Sequence, residues 1–299
     1  MFMSHFVLQW EISPQDAGKM IREFLKEKSI SKAALTDIKF KGGRIVVNGQ
    51  DVTVRYYLKD ADQLTVHFPM EESSEGLAGE DIPLDIRYED DYILIVNKPS
   101  EMNTIPSREH PTGSLANALI GYFNKIGLQA TTHIVTRLDR NTTGLVLIAK
   151  HRHIHHLLSH EQKAGRIKRT YEAFAEEVFK EKLGKIEEPI GRKEDSIIER
   201  EVRPDGQYAL TYYEVIQSFP RFTWLKLQLE TGRTHQIRVH LSYIGHPLAG
   251  DTLYGGHIDL IKRQALHCRK IMFTHPILGS TFEFTAELPS DMQSLLEME

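Results

Sequence analysis

The chain has one cysteine, Cys268, among its 299 residues, so no internal disulfide can form. No apolar run approaches the roughly 18 residues that a membrane span needs. The N-terminal residues, interrupted early by Glu11 and Asp16, lack the basic, apolar and small-residue succession of a signal peptide. These absences together point to the cytoplasm. Glycine-rich phosphate cradles are also missing. There is no GxxxxGK[ST] and no strand-linked GxGxxG, and GDTLYGG at 250–256 is too short and wrongly set. An excess of positive charge is missing too. Lys and Arg number 37 against 41 Asp and Glu, a net charge of −4. Nucleic-acid proteins gain affinity by neutralising phosphates, so this average does not advertise RNA binding. The charges are segregated, however. Acids crowd into Glu71–Asp91, and bases into Lys163–Arg169 and around Arg233 and Arg238. A local basic groove therefore remains open.

What is present is ordinary for a globular protein: 40% hydrophobic and 26% charged residues. The length suits one large domain with a small appendage. Residues 1–70 read as a small α/β unit. Helices are expected at Asp16–Lys28 and Ser31–Ile38, a hairpin turns at Asn48-Gly49 in GRIVVNGQDV, and a strand runs Leu64–Phe68. Residues 71–84 are acidic and rich in Ser and Gly, a linker composition. Residues 85–299 form the main domain. Strands are expected at Tyr92–Asn97, Gly144–Ala149, Tyr171–Ala175, Leu210–Gln217 and Phe222–Leu229. Helices are expected at Ser114–Ile126, Arg152–Ala164, Thr234–Ile244 and from about Pro289. Strands and helices do not alternate strictly. The expected class is α+β with a mixed, mostly antiparallel sheet rather than a doubly wound parallel one.

Three segments carry candidate chemistry. In TRLDRNTTG at 136–144, Asp139 sits between Arg137 and Arg140 just ahead of a buried strand. Guanidinium neighbours favour an ionised carboxylate, suited to a nucleophile or base. By spacing alone Asp139 is equally readable as a turn-capping acid. In Leu229–Gly256, Arg233, His235, Gln236, Arg238 and His240 share a helix and its entry. Arg233 and Arg238 would flank one anionic site, to which a helix N-terminus adds N–H groups; a solvated basic face is the plainer reading. In KRTYEAF at 168–174, Tyr171 points into either a core or a pocket. The pairs His151/His155 and His156/His160 have zinc-like spacing but no third ligand, and read as a polar or RNA-facing helix face. Cys268 reads as a small buried residue, and Tyr212, Tyr213, Phe219, Phe222 and Trp224 as core.

Taken together these segments resemble the RluA-type family of pseudouridine synthases. The matching stretches, in order, are VNKP at 96–99, RLDRNTTGLVLIAK at 137–150, KRTYEAF at 168–174, TGRTHQIRVHLSYIGHPLAGDTLYG at 231–255 and ALHCRKIMFTHP at 265–276. Residues 1–70 look similar to a small RNA-binding domain also found in a small-subunit ribosomal protein, through Ser31-Lys32 and the GRIVVNG turn. Two positions depart from the family pattern. Thr136 stands where His usually precedes RLD, and Asn141-Thr142-Thr143 stands for Asp-Thr-Ser.

The resemblance implies an isomerase that breaks the bond from ribose to ring nitrogen of a uridine in RNA and rejoins the ribose to ring carbon 5. No electron is lost and no group imported, so neither cofactor nor metal is required. It implies Asp139 as the essential carboxylate, Arg238 (or Arg233) as its partner, and Tyr171 as the ring that stacks on the flipped base and helps to remove the proton from ring carbon 5. Arg137, Arg140, Lys168, Arg233 and Gln236 are expected contacts to phosphate or base. The partner is RNA, ribosomal or transfer, and the chain is expected to act as a monomer. The rival readings are a non-catalytic RNA-binding or ribosome-assembly protein on the same fold, and a glycoside hydrolase. The latter needs two acids flanking the bond, whereas only one stands in a convincing setting.

Overall fold

A computed structural model of the chain describes residues 6–71 and 76–298. They build two main cores, with two smaller apolar clusters beside the second. The first belongs to a four-stranded antiparallel sheet, with β1 (Val7–Glu11), β2 (Arg44–Val47), β3 (Gln50–Asp51) and β4 (Gln63–His67) in the order β1-β4-β2-β3. Helices α1 (Ile21–Glu27) and α2 (Lys32–Phe40) cover it, burying Ile21, Phe24, Leu25 and Ile38 against Leu64 and Val66. The Asn48-Gly49 turn has both residues at positive φ, 50° and 80°, the geometry a two-residue hairpin demands. Ser31 caps α2 by accepting the Ala34 N–H at 3.1 Å. Helix α1 starts five residues later than its apolar spacing suggests. Gly18 takes φ +85° and gives its N–H to the Leu58 carbonyl, which breaks the helical run ahead of Ile21.

The second core lies within a ten-stranded sheet. Its elements are β5 (Ile86–Glu89), β6 (Ile93–Lys98), α3 (Leu115–Ile126), β7 (His133–Ile134), β8 (Thr143–Ala149), α4 (Arg152–Lys163), β9 (Lys168–Glu176) and β10 (Leu183–Glu187). After a small β11–β12 hairpin (Ile190–Arg192, Arg200–Val202) come β13 (Leu210–Ser218), β14 (Phe222–Leu229), α5 (Gln236–Tyr243), β15 (Leu266–Thr274), β16 (Thr281–Thr285) and α6 (Ser290–Leu296). The order is β10-β13-β14-β9-β15-β8-β6-β5, with β7 added to β8 and β16 to β15. Among the described residues only β8 and β15 pair in parallel, so the sheet is mixed and mostly antiparallel, as expected. Strand β8 is buried along its whole length, which explains its unbroken apolar sequence. No helix among the described residues is long and apolar enough to cross a membrane.

Two features revise the sequence reading. Residues 72–75 of the expected linker lie outside the described residues, but both flanks are tied down. After it, Glu80 accepts the Gly113 N–H and Asn117 donates to the Ala78 carbonyl; before it, Glu71 is held by His133 and the Arg152 N–H. The histidines of α4 are also not all a polar face. His151 and His153 are buried beneath Phe6 and Phe68, with the Phe6 and His151 rings stacked at 3.9 Å. Glu71 completes this seam, accepting from His133 Nε2 and from the Arg152 N–H, each at 2.6 Å. Burial pushes the Glu71 carboxyl up. The hydrogen bond and charge of His133, with His151 and the Arg152 amide, outweigh it and hold the acid at about 2. Burial brings His151 and His153 down to about 4, helped by neighbouring cationic groups and, at His151, opposed by Glu71.

Both shifts act in one direction. The unfolded chain takes up more protons than the folded one as the pH falls from 6.5 toward 4 (the histidines) and from 4.5 toward 2 (Glu71). The seam should therefore hold at neutral pH and weaken progressively through those windows. Trp10, within the first core, reports this by fluorescence; an acid-independent melting temperature between pH 7 and about 4 would contradict it. A second expectation concerns Gly144. It has φ +114°, and a Cβ there would meet the Cys268 carbonyl oxygen at 2.4 Å where β8 and β15 begin to pair. Gly144→Ala should cost more than about 3 kcal/mol in denaturant unfolding.

Candidate active site

The loop between β7 and β8 carries Asp139, and its shape is set by groups that grip its backbone. Thr142 N–H closes a turn onto the Asp139 carbonyl at 3.1 Å. Thr104 Oγ1 donates to the Leu138 carbonyl at 2.6 Å and accepts the Leu138 N–H. Arg263 donates to the Asn141 carbonyl at 3.0 Å while paired in bidentate fashion with Asp291 at 2.6 and 2.8 Å. Lys98, from the VNKP stretch, is fully buried beneath the loop. Its Nζ donates to the carbonyls of Pro99, Met102 and Arg140 at 2.7, 2.8 and 3.0 Å. Burial pushes this ammonium down to about 7 against the field of Asp139. Three acceptors need three N–H groups, which only the ammonium has. Thr136, which departs from the family pattern, uses its hydroxyl to accept the Leu147 N–H at 2.9 Å. It serves the β8 backbone rather than the cleft.

Asp139 is held from the other side by α5. Arg238 Nη1 donates to Asp139 Oδ2 at 3.1 Å, and its Nε and Nη2 make a bidentate pair with Asp251 at 2.7 and 2.8 Å. Burial works against the guanidinium charge, but the Asp251 hydrogen bonds and charge, with Asp139 behind them, more than offset it and hold the pKa above its ordinary value. The two carboxylates are not equivalent. Asp251 is 2% exposed, with both oxygens engaged. Asp139 is half open, and its Oδ1 accepts no hydrogen bond from the described residues. One cation thus fixes two anions and leaves one oxygen of Asp139 facing solvent. Asp251 cannot act as the second acid of a glycoside hydrolase, because it is locked to Arg238.

Asp139 opens onto a cleft of about 770 Å³ that continues into a tight recess of about 80 Å³. Tyr171 forms the recess wall, 4% exposed, its hydroxyl accepting from Arg169 Nη1 at 2.8 Å. Burial raises the phenol well above its ordinary range, although Arg169 opposes this. The hydroxyl therefore keeps its proton, and Tyr171 offers a flat apolar face rather than a phenolate base.

Of the residues expected to contact RNA, Arg137, Arg140 and Arg233 line the main cleft. Arg140 meets His110 there, and Arg233 Nε donates to the Tyr208 carbonyl at 3.0 Å. Arg238, not Arg233, reaches Asp139. Two expectations need correcting. Lys168 does not line the Asp139 cleft. It faces a neighbouring concavity and lies 3.7 Å from Glu230, because β9 alternation turns it away from Tyr171. Gln236 is buried, and its amide is spent. Its oxygen accepts from Thr231 Oγ1 and Arg233 N–H, and its nitrogen donates to Leu210 O and Thr211 Oγ1. No hydrogen-bonding capacity remains for a base; the residue shapes the turn that presents Arg233. Tyr212, expected in the core, is 43% exposed. Helix α5 begins at Gln236 rather than Thr234, because His235 takes the left-handed conformation, φ 57°. Residues that the sequence reading did not select include Lys98, Arg169, Asp251 and Tyr254. Asp251 carried one signal, as the sole acid of the basic stretch at 231–255.

A buried Arg between two unequal carboxylates, a packed tyrosine beside them and a cleft edged by arginines define a site for polyanionic substrates on an α+β sheet. A family model described as RNA pseudouridylate synthase matches residues 92–243. The uncharacterized RNA pseudouridine synthase YjbO of Bacillus subtilis is 52% identical over 279 residues, 93% of this chain and 99% of its own. The ribosomal large subunit pseudouridine synthase D of Vibrio parahaemolyticus is 40% identical over 271 residues, 85% of this chain and 82% of its own. The fold is shared with human RNA pseudouridylate synthase domain containing 4, at 22% identity and a TM-score of 0.58 over 71% of this chain and 91% of that one. The chain belongs to the RNA pseudouridine synthase family and is an isomerase acting on RNA.

The geometry assigns Asp251 a share in the site's charge balance. Asp251→Asn keeps the shape but leaves Arg238 with Asp139 as its one anionic partner. Turnover should fall on the order of 100-fold with little change in RNA affinity. Wild-type turnover in that variant would show that the second carboxylate is dispensable.

Proposed function

We propose that this enzyme converts uridine to pseudouridine in ribosomal RNA, at a site presented in a loop or flipped from a helix, with Asp139 as its essential carboxylate. The observation that carries the reading is the Arg238 bridge, which fixes Asp139 at the mouth of a recess while leaving Oδ1 unbonded. The target ring cannot be reached inside a stacked helix, so it is extruded at a cost of a few kcal/mol. Tyr171 stacks against it. Arg137, Arg140 and Arg233 hold the flanking phosphates. Asp139 then attacks the sugar or ring as a nucleophile, or removes a sugar proton as a base. The C1′–N1 bond breaks, the ring turns and carbon 5 bonds to C1′; Asp139 gives back the bond or proton it took, the carbon 5 proton passes to solvent, and N1 takes up one proton in its place. Atoms and electrons balance without an imported group, so no metal or cofactor enters this scheme.

The choice of ribosomal RNA rests on the Vibrio parahaemolyticus relative's name. Residues 1–70 are proposed to form an RNA-binding domain, joined through 71–84 to a catalytic domain at 85–299. Its own core supports the division, and the enzyme is proposed to work as a cytoplasmic monomer. The test maps pseudouridines in total RNA from cells with and without the gene, and after complementation with wild type or Asp139→Asn. The expected outcome is that ribosomal positions vanish on deletion and return with wild type alone. Sites confined to transfer RNA would overturn the substrate, and restoration by Asp139→Asn would overturn the role of the carboxylate.

A further inference from the structure

His235 has no role in the reaction scheme proposed for Asp139. It caps α5 in the left-handed conformation, and its ring borders both the main cleft and the recess. Nε2 lies 3.8 Å from Asp139 Oδ2. Nδ1 lies 2.7 Å from the Tyr254 hydroxyl, which also accepts the Arg200 backbone N–H at 2.9 Å. That backbone donor occupies one lone pair of the phenol oxygen. The phenol proton has a single acceptor among the described residues, His235 Nδ1. If Nδ1 instead carried the proton, the Tyr254 proton would lack a partner and the Nε2 lone pair would face a carboxylate. Hydrogen-bond accounting therefore sets Nδ1 as acceptor and Nε2 as N–H donor.

The ring is also held neutral. Burial lowers its pKa, Asp139 opposes this, and Arg238 adds to the lowering. Tyr254 is fixed in turn, since Arg238 lies over its ring at 4.9 Å. The result is an uncharged N–H donor of fixed tautomer on the lining of the cleft and recess, 3.8 Å from Asp139.

We propose that His235 is a catalytic hydrogen-bond donor whose Nε2–H contacts a ring oxygen of the detached uracil. This rests on the assignment of Asp139, which sets where the ribose lies. When C1′–N1 breaks, the bonding pair stays with the ring and its charge spreads to the ring oxygens. The Nε2 proton stays on histidine throughout. A hydrogen bond to a charged acceptor is roughly twice as strong as one to a neutral carbonyl, so the contact strengthens as charge develops and favours the transition state over bound uridine. A neutral donor also leaves the ring free to turn, whereas a fixed ion pair would anchor it.

The test uses the full chain in excess over RNA from a gene-deletion strain labelled with uridine tritiated at carbon 5, and follows tritium release in a single turnover. His235→Asn tolerates the left-handed backbone but places its amide short of the Nε2 position. It should slow release on the order of 10²–10³-fold with an unchanged half-saturating enzyme concentration. His235→Gln, whose amide reaches that position, should recover to within about tenfold of wild type. Tyr254→Phe, which frees the tautomer, should fall between them. Nitrogen NMR of the free enzyme should find the proton of His235 on Nε2. Release by His235→Asn within about threefold of wild type, a loss confined to half-saturation, or a proton on Nδ1 would each overturn the proposal. Asp139→Asn is run alongside. A fast His235→Asn beside an inactive Asp139→Asn removes only the histidine's role; wild-type release by Asp139→Asn removes both.

Discussion

The site depends on one guanidinium shared between two acids. Arg238 gives two parallel hydrogen bonds to Asp251 and a single one to Asp139. The planar fork makes this division natural, because its Nε/Nη2 edge matches a carboxylate and leaves Nη1 projecting. A lysine would offer a point charge and could not separate the two acids in this way. Asp251 compensates the cost of burying the arginine, and Asp139 keeps one oxygen free of hydrogen bonds from the described residues. An isolated buried Arg–Asp pair would have consumed its carboxylate in structural work.

The second requirement is a loop that does not move. Lys98, Thr104 and Arg263 all act on backbone carbonyls around Asp139 rather than on the carboxylate. They arrive from different elements, so the loop is gripped from beneath and from the C-terminal region at once. Gly144 then lets β8 approach β15 closely enough to begin their parallel pairing. The carboxylate proposed to react is positioned here through main-chain geometry, which leaves its Oδ1 without a hydrogen bond from the described residues.

Local signals carried the sequence reading far. Ser31 and Ser114 start helices and Gly127 stops one, as hydroxyl caps and a left-handed glycine should, and Asn48-Gly49 turns its hairpin. The mixed sheet followed from the irregular alternation of strands and helices. The failures have a common cause, which is that they are settled by distant partners. Gly18 is turned by Leu58, so α1 starts late. Gln236 looked available for RNA until Leu210 and Thr211 claimed its nitrogen. The α4 histidines looked solvent-facing until Phe6 and Phe68 covered two of them. Asp139 was legible through its ordered motif. Asp251 and Tyr254 gain their roles only when the chain folds back on α5.

The histidine seam bears on how such chains diverge. The small β1–β4 sheet is not a detachable cassette, since Phe6, Phe68 and Glu71 are matched to His133, His151 and His153 across the join. Transplanting that module from another family member would strand a buried carboxylate or a pair of buried imidazoles unless both faces travelled together. Recombination at this border is thereby penalised, and the two halves are expected to have been inherited as one piece.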